Sequence, residues 1–142
     1  MAASRSGFLM YLLDTNVLSE ARRGSSQALG WLRAVEPDRL HLSVITLGEI
    51  MRGIALKERS DPRAAAHLSA WLAGLRQDHA ARILPVTDRI AVEWGRLSAL
   101  RPRGGADGLI AATAIVHELV VVTRNIADFA DTGAACLNPW DS

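Results

Sequence analysis

The sequence is short of thiols and of lysine: its 142 residues include one cysteine, Cys136, and one lysine, Lys57, against fifteen arginines. A single cysteine excludes an internal disulfide framework and leaves no thiolate cluster for zinc. The arginine skew is explained more simply by a GC-rich genome than by chemistry, and no function is drawn from it. No apolar run approaches the roughly 20 residues of a membrane span. The opening "MAASRSGFLM" also lacks the apolar stretch of a secretory signal. A cytoplasmic protein with no membrane partner is expected. Neither sign of charge dominates, since sixteen basic and fifteen acidic residues leave a formal charge of +1. Binding to nucleic acid would therefore rest on a local patch and not on a global field.

What is present is apolar and regularly patterned. With 49% hydrophobic and 22% charged residues, the chain is long enough for one well-cored domain and short for two. It carries no internal repeat, low-complexity tract or linker, so residues 1–142 are read as one domain. Phe8 to Leu13 is an apolar run of strand length, and after Asp14 the period changes, with Val17, Leu18 and Ala21 at helical spacing. "SSQALGWLRAVEP" reads as a short helix, "RLHLSVI" as a second strand, and "TLGEIMRGIALKERSDP" with "RAAAHLSAWLAGLRQDHA" as a helical hairpin broken at Pro62. "RILPV" is a short third strand, followed by helices over "TDRIAVEWGRLSALRP" and "DGLIAATAIVHEL". "VVVT" is a fourth strand and "AACLN" a weak fifth. Strands alternating with helices imply an α/β fold with a parallel sheet covered by helices on both faces.

Three acids fall at related places in this pattern. Asp14 ends the first strand, Glu49 follows the second, and Asp107 opens the helix before the fourth. All three belong to the sheet edge where open α/β folds hold ligands. Each has a structural explanation on its own: Asp14 and Asp107 as helix N-caps, and Glu49 as the end of a Thr46-x-x-Glu49 capping box. Those explanations leave their company unaccounted for: the Thr15-Asn16 pair, the glycines around Asp107, and the polar "TRNIAD" after the fourth strand. Carboxylates that converge within about 4–6 Å repel, and some protonate unless a cation neutralises them. Oxygen-only ligation without a Cys or His cluster favours Mg²⁺ or Mn²⁺ over zinc. Such an ion suits hydrolysis of a phosphodiester. His41, His67, His79 and His117 lie in different elements, and none is assigned to catalysis.

The segments "YLLDTNVLSE", "LSVITLGEIMRGI", "ADGLIAATAIVHELVVVTRNIADF" and the ending "NPW" together resemble the PIN-domain ribonucleases, in particular the VapC and FitB-like toxins of bacterial toxin–antitoxin pairs. The resemblance implies a PIN-like three-layer fold with a central parallel sheet in the order 3-2-1-4-5. It also implies Mg²⁺-dependent cleavage of RNA, a cognate antitoxin protein and a toxin homodimer. Asp14, Glu49 and Asp107 match the three main acidic ligands. Asn125 stands where many members carry a fourth acid, with Asp128 three residues later as the alternative. Thr15, Asn16 and Thr123 match small polar positions beside the acids, suited to orienting ligands or water. The family starts close before its first aspartate, so residues 1–9 are read as an N-terminal extension.

Of the arginines near these acids, Arg101, Arg103 and Arg124 are the candidates for RNA binding, because a guanidinium forks onto phosphate. "RPRGG", beside Asp107, is the foremost of these segments. A PIN-like module that binds without cutting stays open as the alternative, given Asn125 at the fourth position. A phosphotransferase with Asp14 as nucleophile fits poorly: Asn16 stands where that class has an acid, and Lys57 is the lone lysine.

Overall fold

The computed structural model describes residues 9–141; the expected extension, apart from Leu9, lies outside the described residues. Five strands form: β1 (Tyr11–Leu13), β2 (Leu40–Ser43), β3 (Ile83–Leu84), β4 (Val120–Val122) and β5 (Cys136–Leu137). Every neighbouring pair is parallel, and the order is β3-β2-β1-β4-β5, as the resemblance implies. Six α-helices surround the sheet: α1 (Thr15–Arg22), α2 (Ser26–Ala34), α3 (Val44–Ser60), α4 (Pro62–Asp78), α5 (Asp88–Ser98) and α6 (Gly105–His117). Among the described residues no helix is long and apolar enough to cross a membrane.

The central strand shows why the layers are three. Side chains alternate across a strand, and here both faces are covered. Leu12 packs with Ile90, Leu97, Ile110, Val121 and Phe129 under α5 and α6. Tyr11 and Leu13 pack with Val17, Leu18, Ala28, Leu40 and Leu42 under α1 and α2. A strand buried on both faces has no polar positions to alternate, which is why "YLL" and "VVV" are uniformly apolar. The α3–α4 hairpin adds a smaller core of Ile50, Ile54, Ala65 and Leu72. Asp61 turns it, capping α4 by accepting from the Ala64 N–H at 3.1 Å with Pro62 at the first helical position.

Two helix starts differ from the sequence reading. α3 begins at Val44, and its N-cap is Ser43, whose Oγ accepts from the Ile45 N–H at 3.0 Å. The β-branched Val44-Ile45 therefore belongs to the helix and not to the strand. Thr46 lies inside the first turn, fully buried, and is not a cap, so Glu49 sits in the second turn and has no capping box to complete. α6 likewise begins at Gly105 with Gly104 as N-cap. Asp107 is in its first turn and free of capping duty. Asp14 does cap α1, its Oδ1 accepting from the Thr15 N–H at 2.8 Å.

Candidate metal centre at the sheet edge

Asp14 lies at the carboxyl end of the central strand, where crossovers run to opposite sides toward β2 and β4. That is the topological switch point of an open α/β sheet, the place where such folds leave a crevice. Its backbone N–H continues the ladder to the Val122 carbonyl at 2.9 Å, and Thr123 continues β4 toward the Leu137 carbonyl at 3.0 Å. The two side chains thus meet: Thr123 Oγ1 donates to Asp14 Oδ2 at 2.8 Å. Asn16 Nδ2 reaches the same oxygen at 3.2 Å, while Asn16 Oδ1 accepts from the Arg124 N–H at 3.2 Å. Thr123 Oγ1 also accepts from the Asn125 N–H at 3.0 Å. One network therefore fixes Asp14 and shapes the "TRN" turn.

Glu49 is held from the other side. Thr15 Oγ1 donates to Glu49 Oε1 at 2.6 Å and lies 3.2 Å from Thr46 Oγ1. Asp14, Thr15, Asn16, Glu49, Asp107, Asn125 and Asp128 line one cleft of about 400 Å³. Thr123 stands directly behind Asp14.

The electrostatics of this cleft are unfavourable without a cation. Asp14 is only 6% exposed and makes no ion pair among the described residues. Burial, reinforced by repulsion from Asp107 and Glu49, pushes its carboxyl up to about 6 despite the hydrogen bonds from Thr123 and Thr15. Asp107 is also raised, by burial and then by Asp128 and Glu49, although Arg101 and Arg103 act against the shift. Among the described residues no three acid, histidine or cysteine side chains close into a ready-made cage. An all-oxygen donor set facing a roomy cleft suits a hard ion that keeps several waters, as Mg²⁺ does with one or two carboxylates.

Ser19, Glu20 and Arg23 also line the cleft, and sequence reading did not place Ser19 or Glu20 there. The signal was present: 15, 19 and 23, and 16 and 20, are helical neighbours on one face of α1. The candidate arginines separate. Arg124 reaches Glu20 at 3.8 Å and its guanidinium stacks on Trp140 at 4.8 Å from the ring centroid. Arg101 and Arg103 both turn onto Asp131, at 2.7 and 3.0 Å, and the Arg103 side chain is only 3% exposed. A separate apolar cavity of about 290 Å³, between α1, α2 and α4, is lined by residues such as Leu18, Leu32, Trp71 and Leu75. It contains no acid.

Comparison with known proteins bears on the family and the fold. The PIN domain family model matches residues 11–134. The toxin FitB of Neisseria gonorrhoeae is 34% identical over 92% of this chain and 99% of its own length. A VapC ribonuclease, Y4jK, of Sinorhizobium fredii is 33% identical over 93% of this chain and 99% of its own. The crystal structure of FitAcB from Neisseria gonorrhoeae superposes with a TM-score of 0.85, at 33% identity, covering 94% of this chain and 100% of that one.

Proposed function

Because the chain belongs to the PIN-domain family, we propose that it is a single PIN domain that cuts RNA as the toxin of a toxin–antitoxin pair. Asp14, Glu49 and Asp107 hold one Mg²⁺ ion, with Asn125 or Asp128 at a fourth position. The observation that carries this reading is Asp14: a buried carboxylate with no ion pair among the described residues, in a cleft that Glu49, Asp107 and Asp128 also line. When bound, the ion supplies Lewis-acid stabilisation of phosphodiester charge and a more acidic water. The chain's own groups do the rest. Thr123 and Asn16 hold Asp14 Oδ2, the Thr15 amide holds Oδ1, and the Thr15 hydroxyl aims Glu49. Fixed oxygens of this kind cost no reorganisation when charge develops. The VapC ribonuclease relative supports RNA as substrate. Solved toxin–antitoxin complexes of similar fold support an antitoxin partner, and an RNA target is in keeping with a cytoplasmic protein.

The test is Glu49→Gln. A glutamine still accepts from Thr15 Oγ1 and no capping box depends on the acid, so the metal-free protein keeps its thermal stability. Loss of the charge leaves a much poorer ligand for a hard ion. RNA cleavage in Mg²⁺ falls at least about tenfold, or ~1.4 kcal/mol in the barrier, and wild-type protein is inert in EDTA until Mg²⁺ is restored. Wild-type cleavage that persists in excess EDTA refutes the metal centre. Full activity in a stable Glu49→Gln protein removes Glu49 from it.

A further inference from the structure

The cleft has a rim whose charges the carboxylate site does not use. Glu20, on the exposed face of α1, bridges two arginines: Oε2 is 3.0 Å from Arg23 Nη1 and Oε1 is 3.8 Å from Arg124 Nη1. Arg23 caps the C-terminus of α1 and lines the cleft, and Arg124 follows Thr123 at the end of β4, so Glu20 joins the two segments at the rim. The Arg124 side chain is 51% exposed, yet it is held in place. Its planar group lies over the Trp140 ring, its carbonyl accepts from Asn138 Nδ2 at 3.1 Å, and Asn138 Oδ1 accepts from the Trp140 N–H at 2.9 Å. The ending "NPW" thus forms a platform under Arg124. From Arg23 the cleft runs on into a groove that adds Arg22 and Lys57 and shares the carboxylate of Glu49.

We propose that Arg23 and Arg124 are a fork for one backbone phosphate of a single-stranded RNA, and that Glu20 holds the fork closed until the phosphate displaces it. This rests on the ribonuclease reading and deepens it. Two guanidiniums converging on one anion suit a phosphate, whose oxygens accept from both at once. An exposed pair at 3.0 and 3.8 Å is weak enough to be exchanged. A guanidinium stacked on an indole is oriented beforehand and loses less freedom on binding. Trp140 is a positioning residue, since it acts through Arg124.

The experiment measures binding of a labelled twelve-nucleotide single-stranded RNA of mixed sequence to the full chain, in EDTA so that nothing is cut, over a range of salt. Arg23→Gln and Arg124→Gln each weaken binding about threefold to tenfold. Each also lowers the slope of log affinity against log salt, and the two together lower it by about 0.7, the value for one phosphate on a single strand. Glu20→Gln tightens binding by about threefold. Trp140→Leu weakens it in the wild-type background and adds nothing to Arg124→Gln, whereas Trp140→Phe, which keeps a ring under the guanidinium, restores it. Arg89→Gln, at the far end of α5, changes nothing. Wild-type affinity and slope in Arg23→Gln and Arg124→Gln overturn the fork, and so does a Glu20→Gln protein that binds no tighter. Polyglutamate that competes as well as RNA reassigns the fork to an acidic protein and overturns the proposal. A wild-type protein that does not bind RNA at all refutes the ribonuclease reading itself, which separates the two failures.

Discussion

Two arginines meet one carboxylate at two places in this molecule, with opposite results. At the loop before α6, Asp131 accepts from Arg103 Nη1 at 3.0 Å, Arg103 Nη2 at 3.2 Å and Arg101 Nε at 2.7 Å. Arg103 also donates to the Leu97 carbonyl at 3.2 Å and Arg101 to the Asp128 carbonyl at 3.3 Å. These contacts fasten the loop to the turn that carries Asp128. At the cleft rim, half-buried Glu20 meets Arg23 and Arg124 through one contact each, one of them long, and both arginines are exposed. The first arrangement is a clamp and the second is an exchangeable pair. Charge count does not distinguish them; burial and the number of short contacts do.

Breaking the clamp gives the largest expected change in stability. Asp131→Asn takes the counter-charge from the Arg103 side chain, which is itself 3% exposed, and Tm falls. Because the Asp128 carbonyl loses its hold at the same time, RNA cleavage drops even below the melting range. A thermal melt and an activity assay at 20 °C check both parts. An unchanged Tm would reduce the clamp to an ordinary surface pair.

A pH titration of the metal-free protein sharpens the comparison, because its acids are displaced in opposite directions. Asp14 is raised to about 6, so the native state binds the extra proton and stability falls as pH rises from about 4 to about 6. The size is on the order of 2–3 kcal/mol. Saturating Mg²⁺, which binds the ionised form, removes that loss at neutral pH. Asp131 is lowered to about 2 by Arg103 and Arg101, so its contribution is complete above about 4 and is lost as pH falls through 2. Denaturant melts from pH 8 to pH 2 therefore show stability rising and then falling. A monotonic decline from neutral pH would mean that Asp14 is not held protonated.

The smallest effect is expected at the rim. Glu20→Gln changes unfolding free energy by less than about 0.5 kcal/mol, measured by urea denaturation, although it changes RNA affinity. A large loss of stability would make Glu20 a second clamp and remove the basis for exchange.

Sequence reading located the acids at one sheet edge but not the partners of the arginines, and the reasons are physical. Asp14, Glu49 and Asp107 each sit at a strand end or in the early turns of a helix, positions that local periodicity locates to within a few residues. The misplaced start of α3 shows the margin of that method. Val44-Ile45 carries strand propensity, which the Ser43 cap overrides. "RPRGG" read as a free basic loop because nothing local betrays its partner. Asp131 lies 28 residues from Arg103 and 30 from Arg101.

The layers and the sheet edge to which Asp14, Glu49 and Asp107 belong were legible in the sequence, since apolar period and helix signals act over a few residues and need no partner. The partners of the arginines were not, and they followed from the packed fold alone. Trp140 lies far along the chain from Glu20, yet both act on Arg124. Asp131 reaches Arg103 across the end of β4 and the turn that follows it. Whether a guanidinium is buried against a carboxylate or poised on an indole depends on distances between remote segments, which exist only once the chain has folded.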